Sequence, residues 1–145
     1  MIAVKPIPPG FGAVTPYLAI HHARKTIEFL KAAFNAEEVQ THTLPDGRIL
    51  NAIIRIRDSM LFIGERPADA APWPAMLYMY VEDVDAVFDK AVKAGAKVVM
   101  APVDQFYGER SGAVEDPSGN QWWIAAQIEQ LSENELVARA TERSK

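Results

Sequence analysis

The sequence of 145 residues contains no cysteine. Disulfides, thiolate catalysis and cysteine-held zinc are therefore excluded. Histidine is nearly as scarce, with only His21, His22 and His42. The first two adjoin each other at the mouth of an expected helix, where neighbouring side chains diverge, and His42 falls on an outer strand. A metal site needs several convergent ligands, so exposed or capping roles are expected for all three. No apolar run approaches membrane-spanning length. Residues 1–10 lack the apolar core of a signal peptide, so a soluble, cytoplasmic chain with no membrane partner is expected. Basic charge is sparse and scattered: 15 lysines and arginines face 19 acidic residues, for a net charge of −4. That balance argues against a nucleic-acid partner, which needs clustered cations. There is no nucleophile elbow and no phosphate-cradling glycine loop, and no catalytic residue is expected.

What is present is a repeated order of elements. After the turn-rich lead-in Ile7-Pro8-Pro9-Gly10, residues 13–20 read as a strand and 22–34 as a helix. The helix carries an apolar stripe of Ile27, Leu30, Ala33 and Phe34. Strands are expected at 38–43, 48–56 and 60–64, with Pro45-Asp46-Gly47 and Arg57-Asp58-Ser59 as the turns. Residues 65–74 hold three prolines and three alanines and suit a linker. A second unit follows the same order. It has a strand at 76–81 and a helix N-capped by Asp83, with Val84, Val87, Phe88, Ala91 and Val92 on one face. Gly95 is placed to end that helix. Strands are expected at 97–101, 112–115 and 121–126. Ser132 and Glu135 form a capping box, with Leu131 and Leu136 as its staple, so a last helix is expected over about 132–143. Tyr17-Leu18-Ala19-Ile20 is echoed by Tyr78-Met79-Tyr80-Val81. The organisation is one domain of two modules, about 12–66 and 75–129, plus the C-terminal helix.

Alternation along strands assigns faces. Leu77, Met79 and Val81 belong under the second helix, which leaves Met76, Tyr78 and Tyr80 on the other face. The same parity puts Pro16, Leu18 and Ile20 under the first helix and Thr15, Tyr17 and Ala19 opposite. Leu50, Ala52 and Ile54 oppose Asn51, Ile53 and Arg55. Leu61 and Ile63 oppose Met60 and Phe62. Trp122 and Ile124 oppose Gln121, Trp123 and Ala125. A strand–helix–three-strand unit covers one sheet face with its own helix. Two such units, their free faces turned toward each other, would enclose a cavity suited to a ligand. Taken singly, buried aromatics are more often packing than ligand contacts. Asn51 and Arg55 equally suit a hydrogen-bonded pair at a rim. Glu109 and Arg110, beside Tyr107, suit either a cavity mouth or a surface ion pair. Asp116 is expected to cap its own turn.

The helix start Val81-Glu82-Asp83-Val84-Asp85, the loop Asp104-Gln105-Phe106-Tyr107-Gly108-Glu109-Arg110 and the turn Asp116-Pro117-Ser118-Gly119-Asn120 resemble the vicinal oxygen chelate superfamily. That superfamily holds glyoxalase I, extradiol dioxygenases and bleomycin-resistance proteins. The loop and last turn look most like its PhnB-like branch. The resemblance covers roughly residues 12–129. It implies an α+β fold, with two βαβββ modules whose curved mixed sheets face each other around a cavity. It also implies a homodimer.

The family's enzymes place metal ligands on the first and last strand of each module. The matching positions here are Thr15, Phe62, Met76 and Trp123. None offers the imidazole or carboxylate that such metals need, so no metal and no cofactor is expected. The expectation is a small-molecule-binding protein of the bleomycin-resistance type rather than an enzyme. It would sequester a planar aromatic or amphipathic ligand, an antibiotic among the options. The residues expected to line its site are Tyr17, Asn51, Ile53, Arg55, Phe62, Tyr78, Tyr80, Phe106, Tyr107, Arg110, Gln121 and Trp123. Two alternatives stay open: a metal-dependent lyase or dioxygenase with an atypical site, and a structural or regulatory dimer whose aromatics are core.

Overall fold

In a computed structural model that describes residues 3–145, these divide into two compact units, one ending at Pro74 and one running over Ala75–Lys145. The first runs β1 (Tyr17–Ile20), α1 (Ala23–Phe34), β2 (Glu37–Thr43), β3 (Ile49–Ile56) and β4 (Ser59–Glu65). The second runs β5 (Met76–Tyr80), α2 (Val84–Lys93), β6 (Lys97–Asp104), β7 (Glu109–Glu115), β8 (Gln121–Gln127) and α3 (Glu133–Arg143). The sheets have the order β1-β4-β3-β2 and β5-β8-β7-β6. In each, the first strand pairs parallel with the last and the others pair antiparallel. The fold is α+β with two four-stranded mixed sheets. Among the described residues, no helix is long and apolar enough to cross a membrane.

Each unit builds its core by laying a helix stripe on one sheet face. In the first, Ile27, Leu30, Ala33 and Phe34 are buried with Leu18, Ile20, Ala52, Ile54, Leu61 and Ile63. Each such aliphatic side chain contributes about 1.5–3 kcal/mol when fully buried. α1 ends at Asn35, whose left-handed φ of 55° lets its N–H reach the Leu30 carbonyl. In the second unit, the Asp83 carboxylate accepts from the Ala86 N–H at 3.1 Å and starts α2. Phe88 of α2 comes so close to Gly112 of β7 that a side chain there would crowd it. The Ser132 hydroxyl accepts from the Glu135 N–H at 3.1 Å and starts α3, none of whose side chains is buried.

The segment after β4 does not hang free as a linker. The Arg66 N–H donates to the Ile20 carbonyl at 2.7 Å, and the Trp73 N–H to Ala19 at 2.7 Å. His21 Nε2 lies 3.1 Å from the Pro67 carbonyl and 2.8 Å from that of Ala70. His21 thus fastens this segment to the first unit.

Three expectations about faces and ends need correction. Leu50 is exposed and Ile49 is buried, because the β2–β3 register passes from His42↔Asn51 to Thr43↔Ile49 and leaves Leu50 in a bulge. Pro16 lies before β1 and is exposed rather than packed under α1. β7 starts at Glu109, three residues earlier than its alternation suggests.

The turn at residues 116–120 is held by a buried carboxylate. Asp116 Oδ1 accepts from the N–H groups of Ser118 at 2.9 Å and Asn120 at 3.0 Å. Its Oδ2 accepts from Asn120 Nδ2 at 2.8 Å and from Trp122 Nε1 at 2.9 Å. Asn120 Oδ1 then accepts from the Ala75 N–H at 2.9 Å, and the Gln121 N–H donates to the Ala75 carbonyl at 2.9 Å. The turn is thereby tied to the first residues of β5. Gly119 occupies the left-handed position at φ 89°. Leaving a buried donor unmatched costs about 1–3 kcal/mol per group. Asp116→Ala is therefore expected to lower unfolding stability by at least about 2 kcal/mol in urea titrations followed by circular dichroism, and Asn120→Ala by a similar amount. A loss below about 0.5 kcal/mol in both would contradict this role.

Glu38 of β2 accepts from Arg24 at 3.0 Å and from the Thr41 hydroxyl, with Lys31 at 3.5 Å. The hydrogen bond from Arg24, followed by that from Thr41, brings its pKa to about 2 from the ordinary 4.5. A depressed carboxylate contributes stability above its unfolded value and loses it as pH falls through the folded one. Acid unfolding is therefore expected to deepen between pH 4.5 and about 2. Glu38→Gln is expected to flatten that part of the curve.

Candidate functional site

The helix-free face of each sheet carries the aromatic residues, and the register places them equivalently. In the first unit Tyr17 pairs with Phe62 and Ala19 with Gly64. In the second, Tyr78 pairs with Trp123 and Tyr80 with Ala125. Tyr17 thus corresponds to Tyr78, Phe62 to Trp123 and Gly64 to Ala125. The antiparallel neighbours agree: Ile53 pairs with Phe62, and Ala113 with Trp123.

On the first sheet, the Phe62 ring stacks with Phe11 at 5.4 Å and meets Tyr17 at 5.8 Å. The Tyr17 hydroxyl lies over Gly64, where any Cβ would collide with it. A glycine in this strand lets a ring lie down on the backbone. Ile53 and Asn51 are half-buried on the same strand, β3. Arg55 is not paired with Asn51. It pairs with Glu37, its register partner on β2, and is exposed.

On the second sheet, Tyr78 and Tyr80 both reach across β8 to Glu109 of β7. The Tyr80 hydroxyl donates to Glu109 Oε2 at 2.6 Å, and the Tyr78 hydroxyl to Oε1. Strands lie about 4.8 Å apart, so β5 and β7 are separated by about 10 Å, a span that a phenol and a glutamate together cover. The strand between them carries Ala125, opposite both Tyr80 and Ser111. Its methyl group leaves room for the rings to pass. The two tyrosine rings stand 5.6 Å apart at 63°. Trp123 Nε1 donates to Gln121 Oε1 at 3.2 Å. Gln105 Nε2 donates to the buried Ser111 hydroxyl at 3.2 Å.

One residue expected at this face lies elsewhere. Arg110 projects to the opposite, helix side of β7, because Glu109 and Arg110 are consecutive strand residues. It is bound at 2.8 Å to Asp85 of α2 and at 3.0 Å to Asp104. Glu109 and Arg110 form no ion pair with each other. Phe106 meets the Arg143 guanidinium of α3 at 4.9 Å, and its carbonyl accepts from Arg139 at 3.1 Å. The turn that carries Phe106 and Tyr107 is thus clasped by α3. Gly108 completes the clasp: its φ is 88°, and its carbonyl accepts from the N–H groups of Ile128 at 2.9 Å and Glu129 at 3.1 Å. Tyr107 packs edge-on to Phe106 at 5.2 Å. The sequence offers Glu109 as a polar group at a cavity mouth or in a surface ion pair, without its tyrosine partners. The signal that could have found it is the start of β7, which puts it in phase with Ser111.

The four positions that would bear metal ligands are Thr15, Phe62, Met76 and Trp123. The register makes Phe62 and Trp123 equivalent, with Thr15 and Met76 two residues before Tyr17 and Tyr78. An aromatic stack fills the first pair of strands and an indole the second. Among the described residues, no three His, Cys, Asp or Glu side chains are grouped to hold a metal ion. These residues do not fit a divalent cation of the oxygen- and nitrogen-ligated kind.

Residues 11–124 match the family described as the Glyoxalase/Bleomycin resistance protein/Dioxygenase superfamily. The chain belongs to this superfamily. An uncharacterized protein of Mycobacterium bovis is 31% identical over 137 residues, covering 87% of this chain and 90% of that protein. Among solved structures, TioX from Micromonospora sp. ML1 matches with a TM-score of 0.64 at 18% identity, over 83% of this chain and all of that one. A glyoxalase-related enzyme from Fulvimarina pelagi matches with a TM-score of 0.65 at 18% identity, over 80% of this chain and 88% of that one. At such identities the structural matches establish the superfamily fold.

Loss of solvent around its hydroxyl, followed by the carboxylate of Glu109, raises the pKa of Tyr78 above the ordinary 10. The Glu109 hydrogen bond does the same for Tyr80. Both phenols therefore remain protonated donors, and Glu109 is their acceptor. In an alkaline absorbance titration, these two of the four tyrosines are expected to ionise late. Glu109→Ala is expected to bring both back toward pH 10; an unchanged titration would remove the pairing.

Proposed function

We propose that this protein binds a planar aromatic or amphipathic small molecule on its helix-free sheet faces, in the manner of bleomycin-resistance proteins. One observation carries the reading. The pairs Tyr17–Phe62 and Tyr78–Trp123 hold equivalent registers, on the strands where the superfamily's enzymes keep their metal ligands. Half-buried rings at such positions, flanked by the exposed Tyr17 and Tyr78, offer stacking surface rather than ligand atoms. Each ring pair contributes about 0.5–1.5 kcal/mol beyond burial. Gln121 and Asn51 supply neutral hydrogen-bonding groups on the same faces, which suits orientation of a flat ligand. Sequestration without turnover is the activity that this chemistry favours. An antibiotic is one ligand class consistent with it, and a PhnB-like, cytoplasmic homodimer is the setting we infer from the resemblance of the loop at 104–110 and the turn at 116–120.

Tryptophan quenching against a panel of planar compounds tests the reading. Saturable quenching is expected, with affinity lowered by about tenfold in Trp123→Ala, the equivalent of about 1.4 kcal/mol. Trp122 is buried and Trp73 is exposed, so the difference between the parent protein and Trp123→Ala isolates the Trp123 signal. Absence of any saturable signal would overturn the proposal. A stoichiometric divalent ion in protein purified without chelator would favour a metal-dependent lyase or dioxygenase instead.

A further inference from the structure

We propose that the face built by Tyr78, Tyr80 and Glu109 selects ligands that carry a cationic nitrogen, with Glu109 as counter-charge and the tyrosine rings as walls. This names the ligand class for the binding face described above and rests on that reading. Three observations carry it.

The first is that Glu109 has no protein cation. Among the described residues, the ion pairs of the second unit are Lys97–Glu115, Arg110–Asp85, Arg110–Asp104, Arg139–Glu129 and Lys145–Glu142. Glu109 is in none of them. The arginine next to it in sequence is spent on the other side of the sheet.

The second is that its hydrogen bonds are of one kind. Two phenol hydroxyls donate to it, one to each oxygen. Donors to a carboxylate favour its charged form but bring no compensating charge. Its protein partners are thus neutral hydroxyls alone.

The third is the wall around it. The tyrosine rings are 43% and 53% exposed and meet at 63° with 5.6 Å between centroids, which leaves a corner rather than a flat stack. Aromatic faces are the negative part of the ring quadrupole and attract organic cations. Trp123, beside Tyr78 in register, extends the wall with the ring that attracts cations best. An anionic ligand would meet repulsion from both the carboxylate and the ring faces, and a neutral one would gain only the stacking.

The test uses isosteric probes on the full chain. Benzyltrimethylammonium carries the cation, neopentylbenzene replaces its nitrogen with carbon, and benzenesulfonate reverses the charge. Binding is read by calorimetry and by chemical shifts of the tyrosine rings. The cation is expected to bind on the order of tenfold more tightly than the neutral isostere, with affinity falling as salt is raised. Benzenesulfonate is expected to bind less well than either. Glu109→Gln is expected to abolish the preference, while Glu115→Gln, which removes a carboxylate already paired with Lys97, is expected to leave it intact. Circular dichroism confirms that both variants are folded. Equal binding of cation and isostere, or a preference that survives Glu109→Gln, would overturn this inference and leave the aromatic-binding reading standing. Failure of every planar probe, charged or neutral, would overturn both.

Discussion

The second unit depends on one buried carboxylate. Asp116 gathers four donors from three residues that follow it, and through Asn120 it also sets the start of β5. A buried polar group is tolerable only when its hydrogen-bonding capacity is matched, and here each oxygen accepts two donors. The consequence is geometric. β5 must enter parallel to β8 at one register, since the Ala75 N–H and carbonyl are both used by residues of the turn. That register then places Tyr78 beside Trp123 and Tyr80 beside Ala125. A polar cluster at the end of the sheet thereby determines which side chains can meet on its helix-free face.

Much of this was legible in the alternation of aliphatic and aromatic residues. Leu77 and Met79 against Met76, Tyr78 and Tyr80 assign the face of β5 directly, since aliphatic side chains fit beneath an amphipathic helix. The turn at residues 116–120 was legible because each residue type there has one conformational purpose. Leu50 was not legible. A bulge made of Ile49 and Leu50 carries no glycine or proline, so nothing marks where parity slips. Arg110 was misplaced for a related reason: the strand begins within what composition reads as a turn, and one residue of phase reverses the face. The joining of Glu109 to two tyrosines spans three strands, and only the three-dimensional register brings such residues together. The fastening of residues 66–73 by His21 and the edge of β1 was hidden by a composition typical of linkers.

The superfamily is known by name for both enzymes and resistance proteins, and a shared fold does not choose between them. The choice we propose rests on the chemistry of the side chains at Thr15, Phe62, Met76 and Trp123 and on a carboxylate held by phenols. The first unit has no equivalent of that anion, since the position in phase with Glu109 falls at the bulge beside Ile49. The two faces are alike in scaffold and different in charge.

Gly64 and Ala125 occupy the same place in their sheets: Gly64 lies beneath Tyr17, and Ala125 is the register partner of Tyr80. Neither offers a functional group. Yet their size sets how low the overlying ring can settle and so how deep each face is. Exchange of either for a larger residue would lift the ring and reshape the surface without altering any group that a ligand touches. Ligand preference in this scaffold can therefore drift through positions that an inventory of contact residues would overlook, and two relatives with identical contact residues can differ in what they hold.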